Sequence, residues 1–161
     1  MIKITLPDGS VKEYQQGVTG MEIAESISPR LAKEVLSISV NGKVQDLTMP
    51  ITEDASIKLH KFEDEEGKHA FWHTSSHIMA EAIQKLFPGT KFGIGPAVDN
   101  GFYYDIDSDV SFSPDILTKI EAEMKKIVKE NLIIERFTLP RDEAKKLMEE
   151  KNEPYKVLLI D

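Results

Sequence analysis

The sequence contains no cysteine. Disulfides are therefore impossible within the chain, nothing points to an oxidising compartment, and the thiolates on which structural zinc sites usually rely are missing. No apolar run approaches the roughly 20 residues of a membrane span. The N-terminal residues read as a strand and not as a signal peptide, so a cytoplasmic protein with no membrane partner is expected. Basic surface is also scarce: 20 Lys and Arg stand against 28 Asp and Glu, a formal charge of −8. That balance argues mildly against gripping nucleic acid over a wide basic face. Gly93-Ile94-Gly95 lacks the third glycine of a dinucleotide fingerprint and the Gly-Lys-Ser/Thr of a phosphate loop, and reads as a backbone bend. No internal repeat or low-complexity segment is present.

What remains is a soluble, globular balance with apolar material for a packed core, in one ordinary domain or two small ones. Ile2, Ile4 and Leu6 alternate with Lys3 and Thr5 as in a half-buried strand, Pro7-Asp8-Gly9 turns, and Val11 to Tyr14 answers as the second strand of a hairpin. Thr19 with Glu22 forms a capping-box pattern ahead of a short helix carrying Met21, Ile23, Ala24 and Ile27, which Pro29 ends. Ser37 to Val40 is a strand turning at Asn41-Gly42, Leu47 to Ile51 is irregular, and Ser56 to His60 closes with another strand. One helix across a mixed sheet, a ubiquitin-like β-grasp, fits this order best. The acidic stretch Phe62 to Lys68 reads as a solvated connector and sets an expected boundary, with one domain at 1–61 and a second at 62–161.

The second segment is expected to be α+β, with helices packed on an antiparallel sheet. Projected at about 100° per residue, the run from Trp72 to Phe87 gathers Ile78, Met79, Ala82, Ile83 and Leu86 on one face. His73, His77, Ala80 and Gln84 fall on nearly the opposite side. The two imidazoles, four residues apart, rise from one face and can act on one ligand. Phe102, Tyr104 and Ile106 share a strand face, and Ser113-Pro114 opens a helix with Ile116, Ile120, Met124 and Ile127 as its buried stripe. Ile133 to Leu139 looks extended, Asp142 to Lys151 is a short charged helix, and Pro154 to Ile160 is a final apolar strand. A hydrophobic strand at that point pairs with an earlier strand or belongs to a longer protein.

The histidine pair leaves three uses open: a metal site, a cleft handling protons near neutral pH, or solvent exposure without a role. His69 adds no third ligand on a continuous helix, since it would stand about 12 Å along the axis from His77, eight residues at ~1.5 Å each. Lys156, alternating with Tyr155 and Val157, has the solvent face of its strand as its ordinary use.

With those residues in view, a family resemblance emerges. The first sixty residues resemble a TGS domain, a small β-grasp module found at the front of several RNA-associated proteins. His73-Thr74-Ser75-Ser76-His77 followed by Gly93-Ile94-Gly95-Pro96-Ala97-Val98-Asp99-Asn100-Gly101-Phe102-Tyr103-Tyr104-Asp105 resembles the second N-terminal domain of the bacterial threonyl-tRNA synthetases. The resemblance covers essentially the whole chain. It implies a ligase that attaches threonine to tRNA(Thr) with ATP, and an editing domain of the threonyl/alanyl type that hydrolyses seryl-tRNA(Thr). By that resemblance His73 and His77 orient the terminal ribose and the attacking water, Lys156 assists hydrolysis, and Tyr104 and Gly95 lie at the substrate pocket. It further implies the tRNA 3′ end as partner, a homodimer formed through other domains, no metal at the histidines, and ATP, Mg²⁺ and Zn²⁺ in a catalytic domain not found here. The family's downstream Cys-x-x-x-His is absent, so the chain is expected to be an N-terminal fragment with an incomplete editing site, inactive in aminoacylation and weak or inactive in editing. Rival readings are the front of a nucleoside-kinase-like protein, a zinc-dependent editing relative of the alanyl type, and a non-catalytic RNA-binding module.

Overall fold

In β1 (Ile2–Thr5) the isoleucines are buried while Lys3 is exposed. Asp8 accepts hydrogen bonds from the Ser10 amide and hydroxyl, and Gly9 takes φ +84°, returning the chain as β2 (Val11–Tyr14) with Ile2 opposite Tyr14. After β3 (Val18–Thr19) comes α1 (Gly20–Ile27), opened by the capping box: Thr19 Oγ1 accepts from the Glu22 amide at 3.2 Å, and Glu22 Oε2 accepts from the Thr19 amide at 2.8 Å. Thr19→Ala strips both the cap and its reciprocal partner, and a loss of about 1 kcal/mol is expected in denaturant titrations. Pro29 ends α1 as expected and also begins a second helix, α2 (Pro29–Glu34). Ser28 closes the first helix and caps the second, accepting from the Leu31 amide at 3.0 Å.

Asn41 (φ +50°) and Gly42 (φ +81°) connect β4 (Ser37–Val40) to β5 (Lys43–Gln45), the paired left-handed conformation of a tight hairpin. β6 (Pro50–Ile51) pairs with β3, and β7 (Ala55–His60) runs parallel to β1 and antiparallel to β4. The sheet order is β2-β1-β7-β4-β5. Ile23 and Ala24 of α1 press on Ile4, Ile38 and Ile57, which makes this unit a β-grasp. Gly20 permits that approach, since a Cβ there would lie 3.1 Å from Ile38 Cδ1.

The computed structural model describes residues 1–161, which divide into two units, Met1–Phe71 and Trp72–Asp161. The division falls within α3 (Glu65–Leu86). The acidic stretch is therefore not a plain connector: from Glu65 on it is helix. Glu65 and Glu66 occupy the first turn, where carboxylates favour the positive end of the helix dipole. Asp64 secures the entry by accepting from the Lys61 amide at 2.9 Å.

In the second unit the stripe Ile78, Met79, Ala82, Ile83 and Leu86 forms a core with Ile116, Ile120, Met124 and Ile127 of α4 (Pro114–Glu130). Ser113 caps α4 and Asn131, at φ +48°, terminates it. Phe92, Tyr104 and Ile106 close one side of that core. The strands are short antiparallel ribbons: β8 (Lys91–Phe92) with β11 (Ile106–Asp107), and β9 (Ala97–Val98) with β10 (Gly101–Phe102). The strand expected to carry Phe102, Tyr104 and Ile106 is interrupted between Phe102 and Ile106. Tyr104 and Ile106 turn to the core while Phe102 meets the Trp72 ring at 6.3 Å.

Residues 132–140, which include the stretch expected to be extended, belong to neither helix nor strand and are exposed. One expected strand does not form. Pro154–Ile160 is a helix, α6, packed beside α5 (Arg141–Glu150). Proline at the first helical position presets the turn, and Val157 donates to the Glu153 carbonyl at 3.1 Å. Asn152, at φ +56°, makes the reversal between α5 and α6. Lys91 Nζ donates to its carbonyl at 2.9 Å, and Tyr155 donates to Asp107 at 2.7 Å, tying α6 to the β8–β11 ribbon. Lys156 therefore projects from a helix and not from a strand face. No helix is long and apolar enough to cross a membrane.

Candidate functional site

His73 and His77 stand one turn apart on α3, on the side away from its buried stripe. Their ring centroids are 4.7 Å apart at 64°, and their Nε2 atoms are 3.1 Å apart. At that distance one imidazole donates and the other accepts, so the pair is stable with one Nε2 lone pair free of a proton. Burial holds the His77 pKa below the ordinary histidine value, and the electrostatic influence of neighbouring His73 and Lys156 adds to the depression. His77 is thus kept neutral near pH 7, with a basic nitrogen in a partly desolvated setting.

The wall beside the pair is built by Ser76 and Gly95. Ser76 is fully buried, and its Oγ donates to the His73 carbonyl at 2.6 Å and reaches the Gly95 carbonyl at 3.2 Å. Gly95 in turn lies against the ring of Tyr104, so close that a Cβ would overlap Cδ2 and Cε2 along one edge. Gly93-Ile94-Gly95 is therefore more than a bend: its last glycine makes room for an aromatic ring. Tyr104 packs edge-on to Phe92 with centroids 5.6 Å apart. Burial, and then the Glu153 carboxylate, push its hydroxyl above the usual phenol range, so it remains a proton donor.

Lys156 arrives from α6. Its Nζ lies 5.8 Å from the Phe92 ring centroid and 3.8 Å from Glu153 Oε1. The same oxygen receives a long hydrogen bond of 3.5 Å from Gln84 Nε2, on the histidine face of α3. The five expected residues are linked through neighbouring contacts: His73 meets His77, Lys156 acts electrostatically on His77 and lies over Phe92, and Gly95 meets Tyr104, which packs on the same Phe92. Gln84 and Glu153 are additions. Gln84 was visible in the helical projection, on the histidine side; Glu153 left no signal, because an acidic residue ahead of proline reads as an exposed turn.

Two imidazoles sharing a proton, an ammonium within electrostatic reach and a protonated phenol can activate water and stabilise negative charge developing on a carbonyl oxygen. No group of three or more His, Asp or Glu side chains is arranged to hold a metal ion.

Residues 2–61 match the TGS domain. Across 160 residues the chain is 58% identical to a threonine–tRNA ligase of Acetivibrio thermocellus, covering 99% of this chain and 25% of that protein. Threonine–tRNA ligases of Clostridioides difficile and Carboxydothermus hydrogenoformans are 56% and 55% identical, again over 99% of this chain and 25% of theirs. The chain spans about a quarter of the length of the curated relatives it matches. It therefore carries a TGS domain at residues 2–61 and, along essentially its whole length, is similar to the N-terminal region of bacterial threonine–tRNA ligases.

Proposed function

We propose that the protein is the N-terminal part of a threonine–tRNA ligase, an enzyme that joins threonine to tRNA(Thr) with ATP, and that this part clears serine attached to that tRNA in error. In this reading residues 1–61 are the TGS domain and residues 62–161 begin the editing domain. The tRNA 3′ end is the partner, the cytoplasm is the compartment, and the full enzyme is a homodimer held by domains beyond this segment. ATP, Mg²⁺ and Zn²⁺ belong to that remainder as well. The chemistry calls for such a step. Serine lacks only threonine's methyl group, and one methyl supports just ~1–3 kcal/mol of discrimination, so a second, hydrolytic sieve is needed.

The observation that carries the proposal is the His73–His77 pair, with Nε2 atoms 3.1 Å apart and His77 held neutral beside Lys156. Water attacks the carbonyl carbon of the seryl ester on the terminal ribose while its proton passes to the unprotonated imidazole nitrogen, which gives up its hydrogen bond to the neighbouring ring. The Lys156 ammonium and the Tyr104 hydroxyl stabilise the resulting oxyanion. Collapse breaks the bond to the ribose oxygen, which takes the proton back from the imidazole. Serine and tRNA with a free terminal hydroxyl are the products. Deacylation of seryl-tRNA(Thr) by the full-length enzyme tests this directly. His73→Ala and His77→Ala should both lose seryl-tRNA clearance without a change in melting temperature; normal clearance by both removes the assignment.

A further inference from the structure

Glu153 is a charged residue with no ordinary reason to be where it is. It is only 4% exposed, and an ionised carboxylate is costly to bury without partners. It occupies the N-cap position of α6, yet its side chain makes no capping hydrogen bond. Its Oε2 is buried with no hydrogen-bond partner. Packing alone does not account for it, since an apolar side chain of similar size would avoid the desolvation altogether. What the carboxylate does have is Oε1, 3.8 Å from Lys156 Nζ and 3.5 Å from Gln84 Nε2.

Those two contacts point at the site. Lys156 follows Glu153 by one helical turn, so both side chains rise on the same side of α6. Gln84 lies two turns along α3 from His77, on the histidine face. The carboxylate is thereby placed between the helix that supplies the ammonium and the helix that supplies the imidazoles. Tyr104 also feels its charge. A lysine side chain has four flexible carbons, and this one is more than one-third exposed, so without an anchor it would spread over many rotamers.

We propose that Glu153 is the positioning residue for Lys156, holding the ammonium beside the histidine pair so that it meets the developing oxyanion. The inference rests on the editing reading above. Glu153 itself touches no reacting atom; it acts through Lys156, with Gln84 fixing the carboxylate to α3.

The test uses the full-length ligase and seryl-tRNA(Thr) in single-turnover deacylation. Glu153→Gln preserves shape and removes charge, and Glu153→Asp preserves charge and withdraws it by one methylene. Both are expected to lower the maximal rate about 10- to 100-fold, with little change in the tRNA concentration giving half the maximal rate, because the ammonium is misplaced and not lost. In a Lys156→Met background Glu153→Gln should add no further loss, since the residue has nothing left to position. Equal losses in the two backgrounds, or a wild-type rate in folded Glu153→Asp, overturn the proposal. His73→Ala and His77→Ala, run alongside, separate the two claims. Clearance retained in both sinks the editing reading, whereas clearance lost there with a wild-type rate in folded Glu153→Asp sinks only the positioning role.

Discussion

Alanine at position 77 is expected to slow seryl-tRNA(Thr) deacylation by about 10²–10⁴-fold in the full-length ligase, the usual contribution of a positioned acid–base group. The size follows from the pairing. Removing His77 takes away the neutral nitrogen and also leaves His73 Nε2 without the partner that stood 3.1 Å away. The pH dependence gives an independent reading. Burial, the His73 imidazole and the Lys156 ammonium all lower the His77 pKa, so its free base persists to pH values below the ordinary histidine midpoint of about 6.5. The sign is that of a depressed base. Stability and activity tied to neutral His77 are fully present above ~6.5 and decline as pH falls through the lowered value. An NMR titration of the imidazole in this chain should place the midpoint below that of a free histidine. In Lys156→Met the midpoint should move back only part of the way, because burial is the largest of the three causes. A His77 midpoint at or above the free value would contradict the geometry.

The second large effect is expected at Gly95. Its missing side chain is occupied by the Tyr104 ring, and an alanine Cβ would overlap the ring edge. Tyr104 cannot simply retreat, since it is packed edge-on against buried Phe92 within the second core. Either the ring rotates off its packing or the loop leaves Ser76, whose hydroxyl reaches the Gly95 carbonyl. Overpacking of this kind costs ~1–3 kcal/mol. Gly95→Ala should therefore lower the denaturation midpoint of the chain and, in the full-length enzyme, depress deacylation together with stability. In a Tyr104→Ala background, itself destabilised by the lost core packing, Gly95→Ala should cost less stability than it does in the wild type, because the ring it overlaps is gone. An equal cost in both backgrounds would show that the strain lies elsewhere.

Much of the β-grasp unit was legible because its signals are local and redundant. The alternation in Ile2–Thr5, the Thr19–Glu22 capping box and the Asn41-Gly42 turn each specify the element they open or close. The histidine face was equally readable, since helical projection needs only spacing. Failures came where the pattern admits two structures. Five apolar residues after Pro154, interrupted only by Lys156, suit a buried strand or a helix, and the proline at the first helical position was the deciding mark. Four acidic residues in Phe62–Lys68 look like solvated linker, yet two of them fill the first turn of α3. Glu153 was beyond reach for a different reason. Its side chain meets Gln84, 69 residues away in the chain, and no local pattern encodes that meeting.

The helical pair on α3 also sets a rule about length. Within a continuous helix, inserting or deleting one residue between His73 and His77 swings the second imidazole by about 100°, from the site toward the stripe headed by Ile78. Gln84, further along, would be displaced from Glu153 by the same slip. Substitution can explore this segment one residue at a time, but a frame-preserving indel of a single codon would dismantle the pair, the anchor and the core face together. The spacing of the histidines is thus as much a part of the site as their chemistry.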